Sequence, residues 1–96
     1  MKADAALRLA KELVELNQWC FTKSAKDGMR GHRIKASDVR GIILNAESCE
    51  VQDDGQSWKV SGEAFSIAEE CRVVFRFEND AQAVIISAHR ITERGL

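Results

Sequence analysis

Hydrophobic residues in the first half of the chain recur every three to four positions, which is the spacing of one face of an α-helix. The first set with this spacing is Ala6, Leu9, Ala10, Leu13 and Leu16. It predicts an amphipathic helix over about residues 4–17, with Asp4 as a suitable N-cap. The stretch NQWCF that follows (residues 17–21) is interpreted as a hinge whose Trp19 and Phe21 contact the core.

Two further helices are predicted by their capping signals. Ser24 and Asp27 have the spacing of a capping box, in which a hydroxyl and a carboxylate bind the free N–H groups of a first turn. This second helix is expected to be short, because Gly28 and Gly31 each weaken its interior by about 1 kcal/mol. Ser37 and Asp38 begin the third helix. Its buried face comprises Val39, Ile42, Ile43 and Ala46.

The hydrophobic period changes to two in the second half of the chain, which indicates β-strands. SCEVQ and SWKVSGE flank the turn sequence DDG (residues 53–55), and CRVVFRFE and AQAVIISAHR flank Asn79-Asp80. Four strands joined mainly by tight turns predict an antiparallel meander. The predicted fold class is therefore α+β, with about three N-terminal helices packed on one face of a four-stranded antiparallel sheet, in a single domain over residues 1–96.

The composition is that of a folded globular protein, with 45% hydrophobic and 30% charged residues. No apolar run approaches the ~20 residues that are needed to cross a bilayer. Acidic residues interrupt the first hydrophobic stretch, which is not typical of a secretory signal peptide. We therefore expect a cytoplasmic protein with no membrane association.

The cysteines and histidines do not form a metal-binding pattern. Cys20, Cys49 and Cys71 are odd in number and lack a CxxC pair, and His32 and His89 lack the i, i+4 spacing of ligands on one helix. The sequence also has no P-loop and no GxGxxG motif. We expect no metal and no cofactor, and we expect each cysteine to be a small buried hydrophobic residue in a reducing compartment.

The formal net charge of −1 hides an asymmetry between the two halves of the chain. Residues 1–46 carry nine Lys/Arg against five Asp/Glu, whereas residues 47–96 carry five against ten. This split is typical of a basic face for an anionic partner, and it is equally compatible with a helical layer and a sheet that differ in composition. The sequence pI of about 6.1 is low for a protein that binds nucleic acid.

The side chains of this chain that are best suited to catalysis are cationic groups and imidazoles. Alternation places Arg72 and Arg76 on one face of a strand, where two guanidinium groups neutralise a phosphodiester and stabilise the charge that develops during its cleavage. His32 or His89 would move the proton, because the pKa of imidazole lies close to working pH. The candidate catalytic residues are His32, Arg72, Arg76 and His89.

The candidate nucleic-acid contacts are four cations and one aromatic ring. The cations Lys26, Arg30, Arg33 and Arg90 would bind phosphates, and Trp58 would stack on a base. Each residue also has a plain structural interpretation, namely a solvated surface for the cations and the core for Trp58. A Cys–His nucleophile pair has no local support in the sequence.

The order of these segments resembles a family of small bacterial domains of unknown function that is grouped with the RelE-like and barnase-like ribonuclease toxins. The likeness covers about residues 21–92, through FTKSAKDGMRGHRIKASDVRGIILNA, VQDDGQSWKVSGE and CRVVFRFENDAQAVIISAHR. The matching positions are Met29, Ile34, Asp38 and Val39 in the lead-in, Trp58 and Gly62 in one strand, and Val73, Val74, Ile85, Ile86 and Ser87 in the final hairpin. Ser24 stands where the family has a histidine, and His32 stands where it has an arginine.

The resemblance implies a RelE-like domain that binds RNA and cleaves it without a metal ion. It also implies that the protein is the toxin of a toxin–antitoxin pair, whose antitoxin partner covers the RNA groove. Ser24 cannot supply imidazole chemistry, so His32 or His89 would have to supply it. The alternative is a non-catalytic protein-interaction module, or a degenerate toxin, on the same fold. A small-molecule binder is a third option that no residue in the sequence specifies.

Overall fold

The computed structural model describes residues 1–91, in which three helices and five strands form one α+β unit. The elements are α1 (Ala3–Glu15), β1 (Trp19–Phe21), α2 (Lys23–His32), α3 (Ala36–Asn45), β2 (Glu50–Val51), β3 (Ser57–Ala64), β4 (Glu69–Glu78) and β5 (Gln82–Arg90). The strand order in the sheet is β1-β5-β4-β3-β2. The α+β class and the three helices are confirmed.

The sheet differs from the predicted one, because it has five strands within the described residues and is mixed rather than antiparallel. Residues 19–21, predicted to be a hinge, form β1, which pairs in parallel with residues 83–85 of β5. Three residues are too few to show a period of two, and their partner strand lies at the far end of the sequence. As predicted, Trp19 and Phe21 pack against the core.

The two hairpins of the second half form where the turn sequences predict them. β2 pairs with β3 across the DDG turn, and β4 pairs with β5 across Asn79-Asp80. Asn79 and Asp80 have φ values of 54° and 55°, which is the left-handed conformation that a tight type I′ hairpin turn requires of both central residues. Ile86 is an extra residue in β5, since Val74 pairs with Ser87 while Phe75 pairs with Ile85. This bulge places Ile85 with Ala88 in the core, although strict alternation along β5 would put these two residues on opposite faces.

The helices begin at different residues from those predicted. α1 begins at Ala3 after Lys2 rather than at Asp4, and Leu16 beyond its end is 62% exposed. α2 is capped by Thr22 rather than by Ser24, because the Thr22 Oγ1 accepts a hydrogen bond from the Ala25 N–H at 3.1 Å. The same Oγ1 donates to the Ile86 carbonyl oxygen at 3.1 Å, and this bond ties the start of α2 to β5.

Asp38 anchors the start of α3 to the loop between β3 and β4. Its carboxylate accepts hydrogen bonds from the N–H of Lys35 at 2.8 Å, from the N–H of Ser66 at 3.0 Å and from the Ser66 hydroxyl. Asp38 is only 5% exposed. Burial by itself raises the pKa of this carboxyl, but the hydrogen bonds from Ser66 and Lys35 outweigh it and hold the pKa below its ordinary value.

We expect Asp38→Ala to destabilise the fold by about 1–2 kcal/mol, because it leaves three donors without their acceptor. Asp54→Ala is the matched control, since Asp54 also accepts hydrogen bonds from Gln56 and Ser57 but lies in an exposed turn. Urea unfolding of both variants at neutral pH measures the difference. If both variants lose the same stability, burial of the Asp38 carboxylate does not increase the contribution of its hydrogen bonds.

The core lies between the helices and one face of the sheet. Its largest fully buried side chains include Phe75, Ile42, Ile43 and Ile85. The predicted buried face of α3 is confirmed at all four of its positions, Val39, Ile42, Ile43 and Ala46. Cys49 and Cys71 are buried as predicted, and burial raises the pKa of both thiols. Cys20 is the exception, because it lies on edge strand β1 and is exposed.

Candidate anion-binding site on the open sheet face

One face of the sheet points away from the helical core, and we call the part of it formed by β3, β4 and β5 the open face. Its central residues are Arg72, Val74 and Arg76 of β4, which alternate with the buried Cys71, Val73 and Phe75. They are paired with Ser61, Lys59 and Ser57 of β3 and with His89, Ser87 and Val84 of β5. The predicted placement of Arg72 and Arg76 on one face agrees with this alternation.

Arg72 and His89 are direct neighbours across β4 and β5. Directly opposite residues of an antiparallel pair have Cβ atoms about 4.5–5.5 Å apart, so the guanidinium group and the imidazole can reach a common ligand. The Asn79-Asp80 turn and the bulge at Ile86 together set the register that pairs Arg72 with His89. The hairpin therefore builds the first half of the site.

Helix α2 brings the second imidazole to this pair. β1 covers the edge of β5 only as far as Ile85, and α2 packs along β5 beyond that point. The sheet-facing side of the helix carries Ala25, Met29 and His32, and the His32 ring lies 6.2 Å from the His89 ring between centroids.

Gly28 permits this close packing of helix against strand. A Cβ atom at residue 28 would lie 2.6 Å from the Ala88 carbonyl oxygen, which is closer than real Cβ contacts. Ala88 immediately precedes His89, so the distance between α2 and β5 at Gly28 also sets the distance between His32 and His89. No sequence signal identified this role, because an isolated glycine in a helix does not reveal which backbone it contacts.

The electrostatics of the site favour a neutral His89. Burial lowers the pKa of His89 below its ordinary value, and the positive charge of Arg72 and the neighbouring His32 lower it further. Among residues 1–91, neither Arg72 nor His32 forms an ion pair, and the buried Arg72 Nε and His32 Nδ1 have no hydrogen-bond partner. The charge of the Arg72 guanidinium group is therefore not balanced by a described carboxylate, which favours the binding of an anion there.

The lowered pKa of His89 makes a contribution to stability that depends on pH. Below the unfolded value of 6.5, the unfolded chain binds this proton more readily than the folded protein, so stability rises with pH through the interval between the folded and unfolded pKa values. We expect His89→Asn to reduce the loss of stability between about pH 7 and about pH 5.5. Urea midpoints at the two pH values measure it. If the difference between the two urea midpoints is the same in His89→Asn as in the native protein, the pKa of His89 is not lowered by folding.

The exposed cations of α2 lie off the side of the helix that carries His32. Lys26, Arg30 and Arg33 are exposed, and Arg30 forms an ion pair with Asp27 at 3.4 Å. Arg33 ends the helix in the left-handed conformation, with φ of 62°. The predicted phosphate contacts of α2 therefore lie on a different side of the helix from His32 and are not brought together with the imidazoles.

Two predicted site residues lie on the core side of the sheet. Trp58 is 5% exposed and packs in the core, so it offers no free ring face and the prediction that it stacks on a base is wrong. Arg90 pairs with Cys71 rather than with Arg72, and strand alternation therefore puts it on the face opposite to His89. The alternation of Trp58 with Val60 already indicated the core.

Neither a metal-binding cluster nor a known relative indicates the ligand of this site. Within residues 1–91, no three His, Cys, Asp or Glu side chains are arranged to hold a metal ion, and no helix is long and apolar enough to cross a membrane. The chain has no significant match among protein-family models, curated proteins or solved structures. Inference about function therefore rests on the residues of this chain.

Proposed function

We propose that the open face binds RNA and cleaves its phosphodiester backbone without a metal ion, with His32, Arg72 and His89 at the reaction centre. The observation that carries the proposal is the convergence of two imidazoles and a guanidinium group that lacks a described acidic partner. These are the groups that such a reaction needs, because RNA supplies its own nucleophile in the 2′-hydroxyl.

The reaction balances with these groups alone. One imidazole takes the proton of the 2′-hydroxyl, whose oxygen forms a bond to phosphorus, while the bond from phosphorus to the 5′-oxygen breaks. The other imidazole gives its proton to the departing 5′-oxygen, and the products are a 2′,3′-cyclic phosphate and a 5′-hydroxyl. We assign the base to His89, because its lowered pKa keeps it neutral, and the acid to His32.

Arg72 stabilises the additional negative charge that develops on the phosphate oxygens. It lies opposite His89, and its guanidinium group keeps its charge at every physiological pH. The pairing thus puts the fixed charge beside the proposed base.

The same proposal makes the protein a RelE-like toxin in the bacterial cytoplasm, with Lys26, Arg30 and Arg33 as further phosphate contacts and an antitoxin as its partner. The excess of cations in residues 1–46 supports this assignment. An acidic antitoxin segment would satisfy the same unpaired donors on the open face and would block RNA.

A non-catalytic protein-interaction module is the second candidate. It is favoured by the pI of about 6.1 and by the cross-strand pair of Glu63 and Glu70, which puts like charges at one end of the open face. Salt separates the two candidates, because phosphate contacts weaken steeply as salt rises and a hydrophobic interface does not.

The test is incubation of the purified protein with a labelled, mixed-sequence RNA in EDTA at low salt. We expect cleavage that falls as salt is added. If the protein shows no cleavage and no salt-sensitive binding, the proposal is contradicted and the interaction module is favoured.

A further inference from the structure

Arg76 shares the open face with Arg72 but lies too far along β4 to have the same neighbours. The two residues are separated by four positions, which is about 13 Å between their Cα atoms in a strand. Arg72 lies between Ser61 and His89, whereas Arg76 lies between Ser57 and Val84. No imidazole is paired with Arg76.

The positions between the two arginines do not continue the positive charge. Val74 separates Arg72 from Arg76 on β4, and its partners are Ser87 and Lys59. Lys59 forms an ion pair with Glu50, whose carboxylate lies 3.0 Å from its Nζ. The open face therefore carries two separate positive positions rather than one continuous strip.

Arg76 has no acidic partner among residues 1–91. Asp54 in the neighbouring turn is engaged by Ser57, which donates to it from both its N–H and its hydroxyl, and it forms no ion pair with Arg76. Like Arg72, Arg76 is half-buried on the open face. Its guanidinium group is available for a second anion.

We propose that Arg76 is the binding subsite for a second phosphate of the same RNA strand, adjacent to the phosphate that His89 and Arg72 hold. This rests on the proposed function and changes the role of Arg76 from catalysis to substrate binding. The ligand class is a single strand with at least two phosphodiester groups. The pair of Glu63 and Glu70 lies at the far end of the face and repels a strand that extends that way.

Among these paired positions within residues 1–91, the open face offers no Phe, Tyr or Trp side chain. Base stacking is the usual way in which a sheet surface binds single-stranded RNA, and here it is replaced by phosphate contacts. The subsite should therefore recognise the number of phosphates and not the identity of the bases.

The experiment compares UpU, which has one phosphodiester, with UpUpU, which has two. We expect Arg76→Ala to raise KM for UpUpU about tenfold with kcat unchanged, and to leave both constants for UpU within about twofold. Arg72→Ala should lower kcat for both probes. Ser87→Ala is the matched control on the same face, and because it removes no charge it should leave kcat and KM for both probes unchanged. Equal losses of kcat on both probes would mean that both arginines act on one phosphate and would overturn the subsite.

A binding arm with the non-cleavable trinucleotide dTpTpT separates this inference from the proposed cleavage. Two phosphate contacts predict a slope of log K against log salt of about −1.4, which should fall to about −0.7 in Arg76→Ala. That result without any RNA cleavage would keep the subsite and refute the nuclease. Cleavage of RNA with the same slope in both proteins would keep the nuclease and refute the subsite.

Discussion

His89→Ala is expected to lower kcat for RNA cleavage by about 10²–10⁴-fold, which is the contribution of a positioned general acid or base. The side chain lies opposite Arg72, and its ring lies 6.2 Å from the ring of His32. No other imidazole could take its place, because the chain has two histidines and the other one, His32, is assigned the role of the acid. The measurement is single-turnover cleavage of a labelled RNA at pH 7 in EDTA.

Ser87→Ala is the matched control for this prediction, since Ser87 lies on the same face of β5 two residues earlier and is also half-buried. It should cleave within about threefold of the native rate, because it removes no titrating group. Thermal unfolding of both variants checks that they are folded. A His89→Ala protein that is folded and still cleaves at the native rate would remove His89 from the mechanism.

Gly28→Val is expected to destabilise the protein by about 3 kcal/mol and to abolish cleavage. Its Cβ would lie 2.6 Å from the Ala88 carbonyl oxygen, which is backbone and cannot rotate away. The added methyl groups must push α2 off β5, and this movement separates His32 from His89. Urea unfolding measures the loss of stability, and the cleavage assay measures the loss of the site.

Gly31→Val is the control in the same helix. Apart from its two chain neighbours and the backbone of its own helix, nothing lies within 4 Å of the position where its Cβ would stand. Valine is a better helix former than glycine, so Gly31→Val should be neutral or slightly stabilising and should cleave RNA normally. Similar losses in the two variants would mean that the helix itself, and not its contact with Ala88, is sensitive to substitution.

The parts of the fold that could be predicted are those whose signals are local. The helical spacing of Val39, Ile42 and Ile43 and the turn residues Asn79-Asp80 act over a few positions, so the sequence displays them directly. The strand β1 was missed because its partner among residues 1–91 is β5, which lies far away in the sequence. A parallel pairing of this kind leaves no pattern in three residues.

The candidate site was predicted as a set of residue types but not as an arrangement. Arg72 and His89 could be selected as chemically suitable, whereas their pairing depends on a bulge at Ile86 that the alternation pattern hides. The approach of His32 depends on Gly28 and on the bond from Thr22 to Ile86, which are tertiary contacts. Trp58 was misjudged because aromatic character suggested stacking, although its alternation with Val60 indicated burial.

The measurement that tests the proposed reaction most directly is the chemistry of the cleaved ends. The native protein, in EDTA, is given one RNA oligonucleotide and a second of the same sequence with a single 2′-deoxy nucleotide at a cleaved position. Attack by the 2′-hydroxyl requires a 2′,3′-cyclic phosphate at the new end of the first oligonucleotide and no cleavage after the deoxy nucleotide of the second. No cleavage of either, or equal cleavage at the deoxy position, would contradict the assignment of His32, Arg72 and His89 as a ribonuclease site.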